Sequence, residues 1–280
     1  MTNRALALAV AAVCGVSVGS TASDAAPVTL QDKNTIVNFN LTDPGTRGMV
    51  DWFVDGTDHL QQQWFWVRVN GVDTREYRVD SAPPFGAPVH LAQDTDGDGF
   101  NDFLRITYLR ASVMEVTIKY TLTGGELGSG WSDMGESITI KNKTSQPLSV
   151  SFFQYTDLDL MGTPFDDTTQ IVGGNTAQVL DALGVRASET VVTPFPASVE
   201  VAAVPVTLTA LEDNLVTNLS GGPGPLGPGN TSWAFQWNFT IPANQSVIIS
   251  KDKQIVPIPE PSAVAVCLLG LGLFAARRRR

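Results

Sequence analysis

The stretch Trp233-Ala234-Phe235-Gln236-Trp237-Asn238-Phe239-Thr240-Ile241 decides the fold class. Large apolar side chains at every second position alternate with small or polar ones, and that period of two fits an extended chain with one face buried. Met114, Val116, Ile118, Tyr120 and Leu122 repeat the pattern against Glu115, Thr117, Lys119 and Thr121. Shorter runs follow at 35–41, 63–69, 104–108, 137–141, 148–155, 190–193, 199–201 and 246–256. Turn chemistry separates them, as in Asn70-Gly71, Gly124-Gly125, Gly173-Gly174-Asn175 and Pro242-Ala243-Asn244. Many half-buried strands with short connections predict an all-β chain, a large two-sheet antiparallel β-sandwich of about twelve to sixteen strands. Leu208, Leu211, Leu215 and Leu219, at spacings of three and four, predict one short helix starting near Thr207 or Thr209.

The chain has 280 residues, 16% of them charged, with a formal net charge of -10. So few charges exclude a coiled coil, and the acidic balance excludes a nucleic-acid partner, because phosphates reward Lys and Arg. The two ends have a different character from the body. Residues 1–22 read as a secretory signal: Arg4 is the positive n-region, 5–18 is small and apolar, and Ser20-Thr21-Ala22 is a small-x-small cleavage pattern. Ser23-Asp24-Ala25 offers a second cut. Cys14 is not a lipidation site, since Val13 stands where a small residue is required.

At the other end Pro259, Glu260 and Pro261 are followed by Ser262, an uncharged run at 263–276, and Arg277, Arg278, Arg279 and Arg280. As a helix the run is only ~21 Å long against a ~30 Å hydrocarbon core. The arginines stay on the cytoplasmic side, which leaves the preceding chain outside. This tail resembles the PEP-CTERM sorting signal of Gram-negative bacterial surface proteins. The resemblance implies recognition by an exosortase, a membrane-embedded cysteine transpeptidase, with cleavage near Pro-Glu-Pro. Its further implications are export by the Sec machinery, transient inner-membrane anchoring by the helix, and release to the cell surface or extracellular matrix. The expected organisation is a signal peptide at 1–22, a single sandwich at 23–256 and a sorting signal at 257–280 with its membrane helix at 263–276.

Arg4 and the four terminal arginines are five of the 18 basic residues, and Glu260 is one of the 28 acidic ones, so the body carries a net charge of −14. Cys14 and Cys267 both lie in the end segments. The cysteine-free body excludes a cysteine nucleophile, a thiolate metal site and a redox pair.

Within the body, Asp94-Thr95-Asp96-Gly97-Asp98-Gly99-Phe100-Asn101-Asp102 is the informative motif. Carboxylates at its first, third, fifth and ninth positions, with glycine at the sixth, suit a cation that wants about seven oxygens from a short loop. The motif resembles the DxDxDG calcium loops of EF-hands and dockerins. It departs from the EF-hand at position 12, which is Arg105 where a bidentate Glu belongs. The resemblance implies one Ca²⁺ between strands, held by Asp94, Asp96, Asp98, the Phe100 carbonyl and Asp102. Without the position-12 Glu, the expected affinity is on the order of 10⁻⁴ to 10⁻³ M.

Other motifs carry less. Gly222-Pro223-Gly224-Pro225-Leu226-Gly227 spells a dinucleotide fingerprint, but its prolines remove the N–H donors that a pyrophosphate needs. His59 and His90 have no companion at metal-ligand spacing. Asp157, Asp159, Asp166 and Asp167 are spaced for a glycosidase pair, a second cation site or a solvated acidic loop. Trp64 and Trp66 fit an aromatic sugar platform or sandwich core. The sequence therefore favours a calcium-stabilised, non-enzymatic surface protein, structural or binding, with exopolysaccharide as a possible partner. A carbohydrate-active enzyme or a carbohydrate-binding module is the alternative.

Overall fold

The computed structural model describes residues 27–41 and 48–258. The signal peptide expected at 1–22 and the membrane helix expected at 263–276 lie outside the described residues. Among the described residues no helix is long and apolar enough to cross a membrane.

The alternating segments form two nine-stranded sheets. The first runs β1 (Val28–Asp32), β2 (Thr35–Asn40), β3 (Gly48–Val54), β5 (Leu60–Val69), β11 (Leu148–Leu158), β17 (Thr231–Ile241) and β15 (Ser198–Ala203). Two-residue strands β4 (Thr57–Asp58) and β6 (Tyr77–Arg78) add to β3 and β5. The second runs β16 (Leu226–Gly229), β12 (Asp167–Val172), β13 (Thr176–Leu180), β14 (Val185–Thr193), β18 (Ser246–Pro257), β10 (Ser132–Asn142), β9 (Met114–Gly124), β8 (Phe103–Arg110) and β7 (Val89–Gln93). Neighbouring strands pair antiparallel throughout, from Val28↔Phe39 in the first sheet to Ile138↔Ile118 in the second.

The second sheet keeps one face dry and one wet, as its period of two requires. Met114, Val116, Ile118, Tyr120 and Leu122 are all buried, while Lys119 and Thr121 between them are exposed. The centre of the first sheet departs from alternation, because both faces of β5, β11 and β17 are covered. One face meets the second sheet: Phe65 stacks on Phe152 with centroids 5.6 Å apart, and Phe152 lies 6.2 Å from Trp237. The other lies under two returning segments. Arg68 pairs with Glu76 and donates to the Thr217 carbonyl, and the side-chain oxygen of Gln236 accepts the Leu219 N–H at 2.8 Å.

Between the sheets lies a charged cluster that hydrophobic patterning does not anticipate. Lys251 and Lys253 are buried beside Glu136 and Glu189, with Gln63 and Gln154 completing the network. Lys251 bonds Glu189 at 2.9 Å and also contacts Glu136 and Gln154, while Lys253 contacts Glu136 and Gln63. Burial alone would raise the carboxyl of Glu136. The two ammonium groups outweigh burial and hold it well below the ordinary carboxylate range. Two cations and two anions make the cluster neutral, the condition under which buried charges persist.

The single α-helix among the described residues, α1 (Val206–Glu212), stops well before Leu219. Asn214 takes a left-handed φ of 67°, which ends the helical path. Leu211 is buried and Leu215 is exposed, so the leucine spacing continues into a loop.

Candidate functional site

The 94–102 loop joins β7 to β8, and its own carboxylates fold it. Asp94 accepts the N–H groups of Gly97 at 2.7 Å and Gly99 at 3.0 Å. Asp96 accepts the Asp98 N–H at 3.1 Å, and Asp98 accepts the Phe100 N–H at 2.8 Å. Gly97 and Gly99 have φ of 86° and 96°, values that residues with a Cβ rarely adopt. Asp102 is buried and accepts both the N–H and the hydroxyl of Thr95, at 2.8 and 2.6 Å.

The structure brings Asp96 and Asp98 together with a residue that the sequence did not single out, Asp32 at the end of β1. One carboxylate oxygen from each of the three lies within 4.8 Å of the others. Asp32 Oδ2 accepts the Gly124 N–H at 2.7 Å, whereas its buried Oδ1 has no hydrogen-bond partner. Glycine donors lower the Asp94 carboxyl. The Asp98 N–H pulls Asp96 down too, but desolvation and the charges of Asp98, Asp32 and Asp102 outweigh it and raise that carboxyl. Three carboxylates this close repel one another, and a hard cation relieves the repulsion. Asp32 left no local signal, because it lies on the other sheet and meets the loop through contacts between the sheets, such as the Gln31 N–H to the Asn101 carbonyl.

A second group of acids surrounds the bend after β11. Asp157 is 3% exposed and Asp167 1% exposed, and each has one oxygen without a partner. Asp167 Oδ2 accepts the Leu160 N–H at 3.2 Å. Burial, followed by the charge of Asp159, pushes Asp157 up to about 7. Burial also raises Asp167, to about 8, with the charges of Asp181, Asp166 and Asp159 adding to it against the Leu160 N–H. Asp159 is raised by burial and by Asp58. A register shift between Asp157 and Leu158 interrupts the extended geometry from which a shared face for Asp157 and Asp159 was expected. His59, also buried, accepts the Met161 N–H at Nδ1, and burial lowers it to about 4, so it is neutral. The two carboxyls raised to about 7 and about 8, Asp157 and Asp167, are both covered by protein.

The two tryptophans are core. Trp64 and Trp66 are 0% and 1% exposed, edge-on to Tyr108 and Tyr155 respectively. His90 is exposed on the edge strand β7. The void between the sheets, bordered by Glu189, Trp233 and Lys253, measures about 10 Å³, room for one water.

Residues 257–280 match the family model of the PEP-CTERM protein-sorting motif. The tail is therefore a PEP-CTERM sorting signal, and it implies export with exosortase processing. Comparison with curated proteins returns no match. Among solved structures, the chain is similar to a bacterial glucoamylase complexed with acarbose, at TM-score 0.53 and 7% identity over 86% of this chain and 32% of that one. It is also similar to the Slr1438 protein of Synechocystis sp. PCC 6803, at TM-score 0.51 and 11% identity over 82% of this chain and 96% of that one. The chain spans about a third of the length of the glucoamylase. Identities this low show a shared sandwich fold and no more.

Proposed function

We propose that this chain is a calcium-stabilised β-sandwich delivered to the cell surface or extracellular matrix by exosortase, where it has a structural or binding role. The PEP-CTERM match at 257–280 carries the proposal. A signal peptide at 1–22 starts Sec export, the helix at 263–276 holds the chain in the inner membrane, and Arg277 to Arg280 fix its orientation. Cleavage near Pro259-Glu260-Pro261 then frees the sandwich. Exopolysaccharide is the partner class such a surface location favours. The test expresses the full chain in a host with a working exosortase. Replacing Pro259-Glu260-Pro261, or deleting the four arginines, should leave unprocessed chain in the membrane fraction. Processing and release unchanged from the natural sequence would refute the proposal.

Calcium belongs to this reading through the 94–102 loop. The crowding of Asp96 and Asp98 supports it, as do the two glycine turns that bring the ligands round. Mg²⁺ competes poorly for such a loop, because it demands a stricter octahedron and sheds water reluctantly.

A carbohydrate-active enzyme is the second reading. The raised carboxyls of Asp157 and Asp167 favour it, since a general acid must hold its proton near neutrality. Their burial counts against it. Incubating the protein with a panel of polysaccharides tests this reading, and activity lost in Asp157→Asn and Asp167→Asn would establish it.

A further inference from the structure

We infer that Asp32 completes the cation site of the 94–102 loop, so that the bound ion fastens the first strand of one sheet to the β7–β8 turn of the other. The inference rests on the calcium reading above and adds to it a ligand from a distant part of the chain.

Asp32 is 5% exposed, and its Oδ1 has no hydrogen-bond partner, although Oδ2 is satisfied by Gly124. A buried carboxylate oxygen without a donor is costly, and the cost is removed either by protonation or by a cation. The geometry favours the cation. An oxygen of Asp32 falls within 4.8 Å of oxygens of both Asp96 and Asp98, a spacing that one Ca²⁺ with ligands at about 2.3–2.6 Å spans. The loop also lacks the carboxylate that such motifs place at position 12. Arg105 occupies that position, on the exposed face of β8. Asp32 supplies a negative oxygen from outside the loop instead.

The surroundings hold Asp32 in place before any ion arrives. Gln31 donates its N–H to the Asn101 carbonyl at 2.8 Å, and Leu122 donates to the Asp102 carbonyl at 2.8 Å, so β1, the loop and β9 are in fixed register. Gly124 permits the approach: a Cβ there would stand 2.0 Å from the Asp32 carbonyl oxygen. Among the described residues β1 is the outermost strand of its sheet and pairs with β2 alone. An ion shared between its last residue and the opposite sheet would add a further anchor to this five-residue edge strand.

The experiment uses the full-length chain, with CaCl₂ alone as the probe. Calorimetric titration is run on the natural sequence, on Asp32→Asn and on the double variant Asp96→Ala/Asp98→Ala. Hydrogen exchange at 28–32 is followed in the natural sequence with Ca²⁺ and with chelator. Asparagine keeps an acceptor for the Gly124 N–H, so Asp32→Asn should fold. It should bind Ca²⁺ about tenfold more weakly or worse, and Ca²⁺ should slow exchange at 28–32 in the natural chain. If Asp32→Asn binds Ca²⁺ with undiminished affinity while the double variant does not, the loop site stands and the role of Asp32 is overturned. Exchange at 28–32 that is indifferent to Ca²⁺ in a chain that binds it overturns the fastening of β1. If the natural chain binds no Ca²⁺, the calcium reading itself falls, and the inference with it.

Discussion

Replacing Glu136 with Gln tests the charged cluster between the sheets. Glu136 is buried between Lys251 and Lys253, and among the described residues Glu189 alone joins it in balancing them. Glutamine keeps the volume and one acceptor but leaves the cluster with one uncompensated positive charge. Breaking a buried pair in this way costs about 3–5 kcal/mol. For a domain of this size each kcal/mol shifts the melting temperature by about 2–4 °C, so the variant should melt about 6–20 °C lower. The exposed pair of Lys143 and Glu115, 3.9 Å apart with both side chains about one-third exposed, is the control. Glu115→Gln should change stability by no more than about 1 kcal/mol. Adding Lys253→Gln to Glu136→Gln restores neutrality and should recover part of the loss. The two ammonium groups lower the Glu136 carboxyl, so its contribution is present above the ordinary carboxylate range and is lost as pH falls below it. The gap between variant and natural chain should therefore close in acid. Scanning calorimetry at pH 7 and in acid reads all of this. A variant that melts with the natural chain at pH 7, or a double variant less stable than the single one, would refute the reasoning.

Asp157 and Asp167 have the opposite sign: their carboxyls are raised, to about 7 and about 8, so their stabilising contribution is full in acid and is lost as pH rises through those values. Asp167→Asn keeps an acceptor for the Leu160 N–H and should flatten the fall in melting temperature up to about pH 8; an unchanged profile would contradict the burial argument. Trp66→Ala should cost about 3–5 kcal/mol through its cavity and leave any polysaccharide binding intact, and selective loss of binding at unchanged stability would place Trp66 at a ligand surface instead. Millimolar Ca²⁺ should raise the melting temperature over chelator, and Asp96→Ala/Asp98→Ala should abolish the difference; coincident curves for the natural chain would contradict calcium stabilisation.

The fold was legible where one face is wet. In β9 every second side chain is buried and the same period is readable in the sequence, whereas in β10 it is readable over 137–141, the buried Ser132, Glu136 and Asn142 being polar. It was less legible in β11, where Phe152 and Phe153 are adjacent and both buried, because returning segments cover the second face and erase the alternation. Burial against Tyr108 and Tyr155 also turns Trp64 and Trp66 from a candidate platform into core. The leucine spacing after 208 located the helix but not its end, which Asn214 sets through backbone conformation. The acidic loop was visible because its carboxylates are local in sequence. Asp32 was not, because its proximity to Asp96 and Asp98 is a product of sheet topology. The buried charges of Lys251 and Lys253 were hidden for a similar reason: in β18 they occupy inward positions of an alternating strand, and their partners lie on β10 and β14.

The central claim is that the PEP-CTERM tail is processed to release an exported sandwich. Intact-mass analysis of the protein recovered from the cell surface and medium of an exosortase-bearing host tests it most directly. The expected product is a chain that lacks both the first 22 or so residues and the uncharged run 263–276 with Arg277 to Arg280, its C-terminus lying near Pro259-Glu260-Pro261. A full-length chain with all four arginines, accumulating in the cytoplasm of that host, would contradict it.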